Sequence, residues 1–408
     1  MSEWFDVVIV GGGIAGMSLG CALANGGVKT AVIERSDPST MLSAKFDGRT
    51  TSIAHGSVQV LKGIGLWPLL EFKAEPILDI RVVDSHPTRG VSPFFLHYDH
   101  TEIGDDPFGF IIENRAIRDA LSQLAEKTDG LTLIAPASVE DTKREQNGAG
   151  IQLDNGQRLR CSLVVGADGS NSPLRRGAGI STLHFKYAQT AIVCTVKHER
   201  SHAGVAVEKF LPSGPFAMLP MKGDRTNIVW TERSDLAPSF MALDDNAFLG
   251  EVRRRFGDWL GALELTGPRF SYPLVLLHAA RYTDKRLALI SEAAHSIHPI
   301  AGQGLNLGIR DVAALAEAVV DGIRLGLEPA DMTVLNRYEV WRRVDNTTLV
   351  AVTDFLNRLF SNDIAPVRAA RRLGLAAVEN APPLKRLFMR HAMGVVGDLP
   401  RLARGEAL

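Results

Sequence analysis

Over the first 35 residues the apolar positions change period twice. Asp6-Val7-Val8-Ile9-Val10 is a continuous apolar run of strand length. Gly11-Gly12-Gly13-Ile14-Ala15-Gly16 follows, and residues 18–26 then place Leu19, Ala22 and Leu23 on one helical face. Thr30-Ala31-Val32-Ile33 returns to strand character and ends in Glu34-Arg35. The pattern predicts a β-α-β unit with a glycine turn at its first corner.

Further along, a polar loop runs to about Thr51, and Val58, Leu61, Ile64 and Leu69 predict a helix from Ser57 to Leu70. Ile77 to Asp84 and Phe94 to Tyr98 read as strands, Asn114 to Leu124 as a helix, and Leu131 to Ala135 and Gly150 to Leu153 as strands. Asp154-Asn155-Gly156 is a hairpin turn. Leu163-Val164-Val165-Gly166 is a buried strand leading into Ala167-Asp168-Gly169-Ser170-Asn171-Ser172. From Phe185 to about Tyr272 strands dominate: Ala191–Val196, Val205–Phe210, Phe216–Pro220 and Asn227–Thr231. Leu287 to Ile290 is one more buried strand. Val312, Leu315, Ala316, Val319, Val320 and Ile323 then mark an amphipathic helix, and the chain from about Met332 is mostly helical. A nucleotide-binding unit is thus interrupted by sheet-forming insertions and resumes late.

The 408 residues exceed one simple core and fit two or three units. Apolar residues make up 45% and charged residues 22%, and the net charge of −1 gives no global pointer to nucleic acid. Cys21, Cys161 and Cys194 are scattered without metal spacing, which fits buried thiols in a reducing cytoplasm. Met1 to Asp6 run straight into the first strand, leaving no room for a signal peptide. No apolar run reaches the roughly 18 residues that span a bilayer.

Each residue type in the first motif has a physical job. Gly11 makes the tight turn, Gly13 lets the backbone approach a pyrophosphate, and Gly16 allows close helix–strand packing. The N–H groups at the helix start, around Ile14 and Ala15, hold phosphate together with the helix dipole. Glu34, about 20 residues on, accepts hydrogen bonds from a ribose hydroxyl pair.

Three stretches together carry a resemblance: Gly11–Gly16 with Glu34, Gly166-Ala167-Asp168-Gly169 through Arg175, and Ala293-Ala294-His295 through Asp311. The chain, from about residue 5 to 400, resembles the single-component FAD-dependent aromatic hydroxylases of the p-hydroxybenzoate hydroxylase fold. His298-Pro299-Ile300-Ala301-Gly302-Gln303-Gly304-Leu305-Asn306 through Asp311 looks like the branch that acts in ubiquinone biosynthesis. So do Asp47-Gly48-Arg49-Thr50-Thr51, Glu113-Asn114-Arg115, Tyr187-x-Gln189, and Tyr338 with Arg342-Arg343-x-Asp345-Asn346. The resemblance implies an α/β fold: a Rossmann-like FAD-binding domain with an inserted β-sheet substrate domain and a C-terminal helical region. The FAD-binding parts would be 1–76, 103–183 and 275–331, the substrate-domain parts 77–102 and 184–274, and the helical region 332–408.

The implied reaction is ring hydroxylation of a polyprenylated phenol or quinone precursor. FAD reduced by NAD(P)H or a separate reductase reacts with O2 to a C4a-hydroperoxide, whose distal oxygen the ring takes. Gly302, Gln303 and Gly304, before a helix that starts near Leu305 and Asn306, would stabilise negative charge on the reduced flavin. Pro299 would line the substrate beside it. Arg35, Arg49, Arg118, Asp168 and Glu292 complete the implied cofactor set. The family's usual Gly-Asp before Ala-Ala-His is Ser291-Glu292 here, and Phe185 stands where the branch often has Trp.

Several residues keep two readings. Arg49 is a flavin or pyrophosphate contact, or a solvated loop arginine. Pro299 is a lining residue or an ordinary turn proline. Arg115 and Arg118, at the start of a helix, read as surface salt-bridge partners before cofactor contacts. His295 and His298 read as packed, hydrogen-bonded histidines before acid–base groups or ligands. From Pro366 to Leu408 eight basic residues face three acids, and Lys385, Arg386 and Arg390 lie near Leu384, Leu387 and Phe388. This is a peripheral docking surface for an anionic inner membrane or a quinone-biosynthesis complex, or a solvated face. Rival functions on the same fold are a hydroxylase of a soluble aromatic acid, an isoprenoid reductase and a halogenase, the last opposed by the absence of Trp-x-Trp. A flavin-binding accessory subunit is the rival from another class.

Overall fold

The computed structural model describes residues 3–43, 48–86 and 90–408. Lys45, Phe46 and Asp47 of the expected flavin loop lie outside the described residues, as do Met1 and Ser2.

Nineteen strands are described. They are β1 (Glu3–Val10), β2 (Thr30–Ile33), β3 (Thr50–Ala54), β4 (Glu75–Ile77), β5 (Asp79–His86), β6 (Gly90–Asp99) and β7 (Gly109–Glu113). Then come β8 (Leu131–Ile134), β9 (Val139–Glu145), β10 (Gly148–Leu153), β11 (Arg158–Gly166), β12 (Thr182–His198) and β13 (Val205–Leu211). The remainder are β14 (Gly214–Met221), β15 (Arg225–Arg233), β16 (Leu263–Ala279), β17 (Thr283–Asp284), β18 (Leu287–Leu289) and β19 (His295–Ser296).

The first sheet runs β17-β18-β11-β1-β2-β8, with β9 and β10 attached beside β11. Its centre, β18 to β8, is parallel. Buried parallel strands read as unbroken apolar runs, which is why β1, β2 and β11 were legible. Helix Ile14–Asn25 and helix Gly304–Arg324 pack on it, and their small residues allow the approach. At Gly26 a Cβ would come within 2.5 Å of Val320.

The second sheet runs β19-β16-β12-β15-β14-β13-β5-β6 and is antiparallel except where β13 meets β5. One face packs on helix Asp245–Phe256 around Trp230, Phe216 and Phe248. The other face turns toward the C-terminal helices. β3, β7 and β4 form a small third sheet.

Two expectations needed correction. The helix expected over Ser57–Leu70 runs from His55 to Gly63, followed by 3-10 turns at Trp67–Leu69 and Glu71–Lys73. Gly65 adopts φ +81°, and Pro68 disfavours helical geometry at Trp67. The 17-residue β16 was not expected as one strand, because Gly267, Pro268 and Pro273 break its pattern. The pairing slips between Lys186 and Thr190, beside Pro273, so the proline sits next to an irregularity that tolerates it.

Helix Met332–Phe360 is the long connector. Tyr338, Arg342, Asn346 and Val350 recur every fourth residue on its buried face. Tyr338 Oη donates to Leu289 O at 2.8 Å, reaching β18 of the first sheet. Further along, Tyr187 Oη donates to Asp354 Oδ1 at 2.8 Å and Asn357 Nδ2 to Gln189 Oε1 at 3.0 Å, both reaching β12 of the second sheet. One rigid helix therefore spans both sheets. The three cysteines are free and buried.

Candidate active site

The loops after β1, β11 and β18 leave the same carboxyl edge of the parallel sheet, the edge where doubly wound folds bind ligands. At Gly11, φ is +110° and a Cβ would lie 2.2 Å from Ala167 O. At Gly16 a Cβ would lie 1.9 Å from Gly11 O. Packing inside the protein thus requires both glycines. Gly13 differs, since a Cβ there would meet nothing within 4 Å. The space in front of Gly13 is left open by the chain, as a bound pyrophosphate requires.

Glu34 is already aimed. Its Oε2 accepts from Gly12 N and its Oε1 from Ser36 N, both at 2.8 Å, and each oxygen keeps a second lone pair for a ribose hydroxyl. A small cavity of about 40 Å³ beside it is lined by Gly12, Met17, Glu34, Arg118 and Leu121. This places Arg118 next to Glu34. Arg35 is exposed, while Ile14 and Ala15 are buried at the helix start.

Asp168 Oδ2 accepts from Leu174 N at 3.2 Å, whereas Oδ1 is buried with no partner among the described residues. Burial pushes its carboxyl up, partly offset by hydrogen bonds from Ser172 and Leu174. A buried acceptor left open at this edge fits a ligand hydroxyl. Arg175 joins this loop to the next, donating to Ser170 O at 2.7 Å and to Ala293 O at 2.8 Å.

The third loop explains the family's usual glycine. Ser291 has φ +55°, the left-handed region, at a cost of roughly 1–2 kcal/mol for a residue with a Cβ. Asp311 holds it there, accepting from Ser291 N at 2.9 Å. The same buried carboxylate accepts from His295 Nε2 at 2.6 Å, Arg342 Nε at 2.8 Å and Asn346 Nδ2 at 3.2 Å. Burial pushes the Asp311 carboxyl up, but His295 and Arg342 outweigh it and hold the group well below the usual carboxylate range. Glu292, next to this fixed residue, is exposed.

Helix Gly304–Arg324 begins without a capping side chain and without an acid in its first turn, so its first N–H groups face outward unneutralised. Gly302, at φ +62°, turns the chain into it, and Gly302 N donates to Pro299 O at 3.0 Å. A Cβ on Gly304 would meet nothing within 4 Å. Gln303 is buried at the N-cap and Leu305 packs on the main core. The Asn306 amide bridges Ala54 N, Ser52 O and Gly302 O, so this side chain shapes the turn and leaves only its backbone for a cofactor. Arg49 is exposed and lies over the Tyr272 ring at 5.4 Å.

The two histidines separate. His295 belongs to the Asp311 cluster. His298 is fully buried, edge-on to Tyr187, with neither ring nitrogen partnered among the described residues, and burial lowers its pKa to about 4. Only the packed half of the expectation holds for His298.

A larger cleft of about 490 Å³, which shares Leu42 with the cavity beside Glu34, lies among Lys73, Glu113, Arg115, Asp119, Lys222 and Arg225. Its charges largely satisfy one another through Lys73–Asp119 and Arg225–Glu113 at 3.1 Å and Arg115–Glu113 at 3.8 Å. It therefore offers little for a dinucleotide, and Arg115 is the surface salt-bridge partner its composition suggested.

Asp311 and Arg175 carry the loop geometry; both close motifs quoted from the sequence, yet neither was given a role there. The signal for Asp311 was an acid at a position that helical spacing puts among apolar residues.

A parallel sheet with a ligand-shaped gap at Gly13, an aimed Glu34, an open Asp168 and an uncapped helix facing a second sheet makes this a flavin-dinucleotide-binding protein. Residues 5–351 match the FAD binding domain family. The chain belongs to that family, in the branch of the ubiquinone hydroxylases. It is 53% identical over 406 residues to ubiquinone hydroxylase UbiL of Rhodospirillum rubrum, covering 99% of this chain and 93% of that one. It is 32% identical over 396 residues to the 3-demethoxyubiquinol 3-hydroxylase of Escherichia coli, covering 96% and 98%. The fold matches p-nitrophenol 4-monooxygenase PnpA of Pseudomonas putida with a TM-score of 0.79 at 19% identity, covering 96% of this chain and 99% of that one.

Proposed function

We propose that this protein is an FAD-dependent monooxygenase that hydroxylates the aromatic ring of a polyprenylated ubiquinone precursor. The observation that carries the reading is the 53% identity to a ubiquinone hydroxylase along almost the whole of both chains. Bound FAD supplies the activation of O2 with electrons from NAD(P)H or a reductase. The chain's own residues bind, orient and polarise. Gly13 leaves room for the pyrophosphate, Glu34 and Asp168 accept hydroxyls, and Glu292 takes the ribityl-binding role that the resemblance gives its position. The uncapped start of helix Gly304–Arg324 stabilises negative charge that develops on the ring system. The division into FAD-binding, substrate and helical parts stated above goes with this reading.

A ring with a polyprenyl tail stays in lipid, since each buried CH2 is worth about 0.8 kcal/mol. Among the described residues no helix is long and apolar enough to cross a membrane. We infer a peripheral contact through helix Pro382–Met393, whose Leu384, Leu387 and Phe388 are exposed beside Arg386 and Arg390. The basic excess of the tail is smaller than its composition implies. Lys385 is buried against Glu102 and Glu379, Arg371 against Asp84, and Arg401 pairs with Glu317 and Asp321. A charge-reversal test therefore uses Arg386 and Arg390 and leaves Lys385 alone.

The test of function is mass spectrometry of quinone intermediates after gene deletion. A precursor lacking one ring oxygen should accumulate, and an unchanged profile rejects the reading. Liposome flotation of wild type against Arg386→Glu/Arg390→Glu tests the surface, and equal flotation rejects it.

A further inference from the structure

In β13 the side chains alternate between the two faces of the second sheet. Val205, Val207 and Leu211 pack on the outer cluster around Trp230. Ala206 and Phe210 belong to the opposite cluster, together with Ile300, Phe360, Met389 and Met393. Period 2 puts Glu208, between Ala206 and Phe210, on that inner face. Its neighbours agree, since it pairs with Ala217 on one side and Val82 on the other. Val82 and, two residues on from Ala217, Leu219 pack against the same inner cluster. A carboxyl thus stands in an apolar wall. Ile300, which packs in the same cluster, belongs to the turn between Pro299 and the uncapped helix.

Among the described residues no charged or hydrogen-bonding group compensates it. Burial alone acts on Glu208 and raises its pKa to about 8. Yet the side chain keeps accessible surface and is not sealed in. The carboxyl therefore stands at an accessible point of an apolar face. An isolated carboxyl in such a wall is costly unless an incoming group supplies a donor. Asp84, on the same face two residues along from Val82, shows the contrast, because Arg371 pairs with it at 3.0 Å.

We propose that Glu208 is the acceptor for the ring hydroxyl of the phenolic substrate, and so sets which ring enters the flavin site and how it is turned. This rests on the functional reading given above. The chemistry gives the group a second task. When the ring carbon forms its bond to the incoming oxygen, electron density flows in from the ring hydroxyl, whose O–H proton passes to the Glu208 carboxylate. The ring C–H proton then passes to the second oxygen of O2, which leaves as water, aromaticity returns, and Glu208 gives its proton back to the ring oxygen. The net change is C–H to C–OH, with O2 and the two electrons of the flavin system as oxidant and reductant. A carboxylate whose proton affinity is raised suits this exchange.

The test needs no turnover. FAD-loaded enzyme is titrated, without reductant, with a phenol carrying one isoprene unit and with its methyl ether, and the flavin absorbance change is followed. Wild type should prefer the phenol by about tenfold or more, the range of a charge-assisted hydrogen bond. That preference should grow as pH rises through about 8. Glu208→Leu should abolish it. Glu208→Gln should keep part of it and lose the pH dependence, with FAD content normal in both variants. If wild type discriminates and Glu208→Leu discriminates equally, the assignment of Glu208 is wrong while the function stands. If wild type binds neither ligand, the phenolic-substrate reading falls and this assignment with it.

Discussion

Asp311→Ala should loosen the loop that carries Glu292 and lower the stability of the whole protein. The variant leaves four buried donors without their acceptor: Ser291 N, His295 Nε2, Arg342 Nε and Asn346 Nδ2. Arg342 keeps Asp345 at 2.7 Å, so its charge is not wholly abandoned. Removing one partner of a buried ion pair costs about 3–5 kcal/mol. For 408 residues the unfolding entropy near the midpoint is about 0.86 kcal/mol/K, from roughly 2.1 cal/mol/K per residue. The melting temperature should therefore fall by about 4–6 °C at fixed FAD concentration. FAD affinity should fall too, because Ser291 loses the contact that holds it at φ +55°. Asp311→Asn keeps the shape and one acceptor oxygen, and should lose about half as much. Flavin-fluorescence melting, with circular dichroism on the apoprotein, measures both effects. A midpoint for Asp311→Ala within about 1 °C of wild type would refute the claim that this carboxylate organises the loop.

Gly13→Val should fold normally, because the protein itself offers no clash at that Cβ, yet emerge colourless. Yellow protein with wild-type FAD affinity would sink the phosphate-loop assignment. Glu292→Ala should weaken FAD by about 10- to 150-fold, the range for a charged acceptor to hydroxyls, and Glu292→Asp by less; equal binding by Ala and wild type, measured by fluorescence titration, removes Glu292 from the site. His298 is held neutral, with its pKa lowered from 6.5 to about 4, so below pH 6.5 the unfolded chain takes up a proton that the folded one refuses. Stability should drop by about 3 kcal/mol between pH 6.5 and 4 from this group. His298→Phe, which keeps a ring against Tyr187, should flatten that part of the melting-temperature profile; an unchanged slope assigns the acid loss elsewhere.

The parts of the fold that were legible are those whose causes are local. β1, the glycine turn and β2 follow from a contiguous apolar run, a backbone requirement and another run. The roles of Gly11 and Gly16 were also readable, because the strand–glycine–helix spacing marks a tight corner before the partner that crowds Gly11, Ala167, is known. What could not be read depends on partners distant in sequence. Asp311 meets His295 16 residues away, Arg342 31 away and Asn346 35 away, and only the crossing of two helices brings them together. Lys385 looked like a membrane-facing cation because Glu102, 283 residues away, is invisible to local periodicity. Glu208 drew no reading in the sequence, for the opposite reason. Alternation was clear, but a charge in a strand reads as the solvent face until the C-terminal helices are known to cover that side.

The residues that marked the branch acquire a common explanation from helix Met332–Phe360. Tyr338, Arg342 and Asn346 tie its first half to β18 and to the Asp311 cluster, next to the loop that carries Glu292. Tyr187 and Gln189 tie its second half to β12, in the sheet whose inner face carries Glu208. Ring hydroxylation requires the substrate ring and the flavin to meet within a fraction of an ångström, because misplacement by about 1 Å can cost 100-fold in rate. On the site assignments proposed above, those two groups are held by different sheets. A hinge between the sheets would lose that register, whereas a single helix bonded to both transmits it at the stiffness of its own backbone. The polar residues on its buried face each fix one anchor, and Val350 between them seals the apolar contact with Leu307 at the flavin-side helix. The branch signature is then read as a distance constraint between two sheets, with Glu208 at one end and Glu292 at the other.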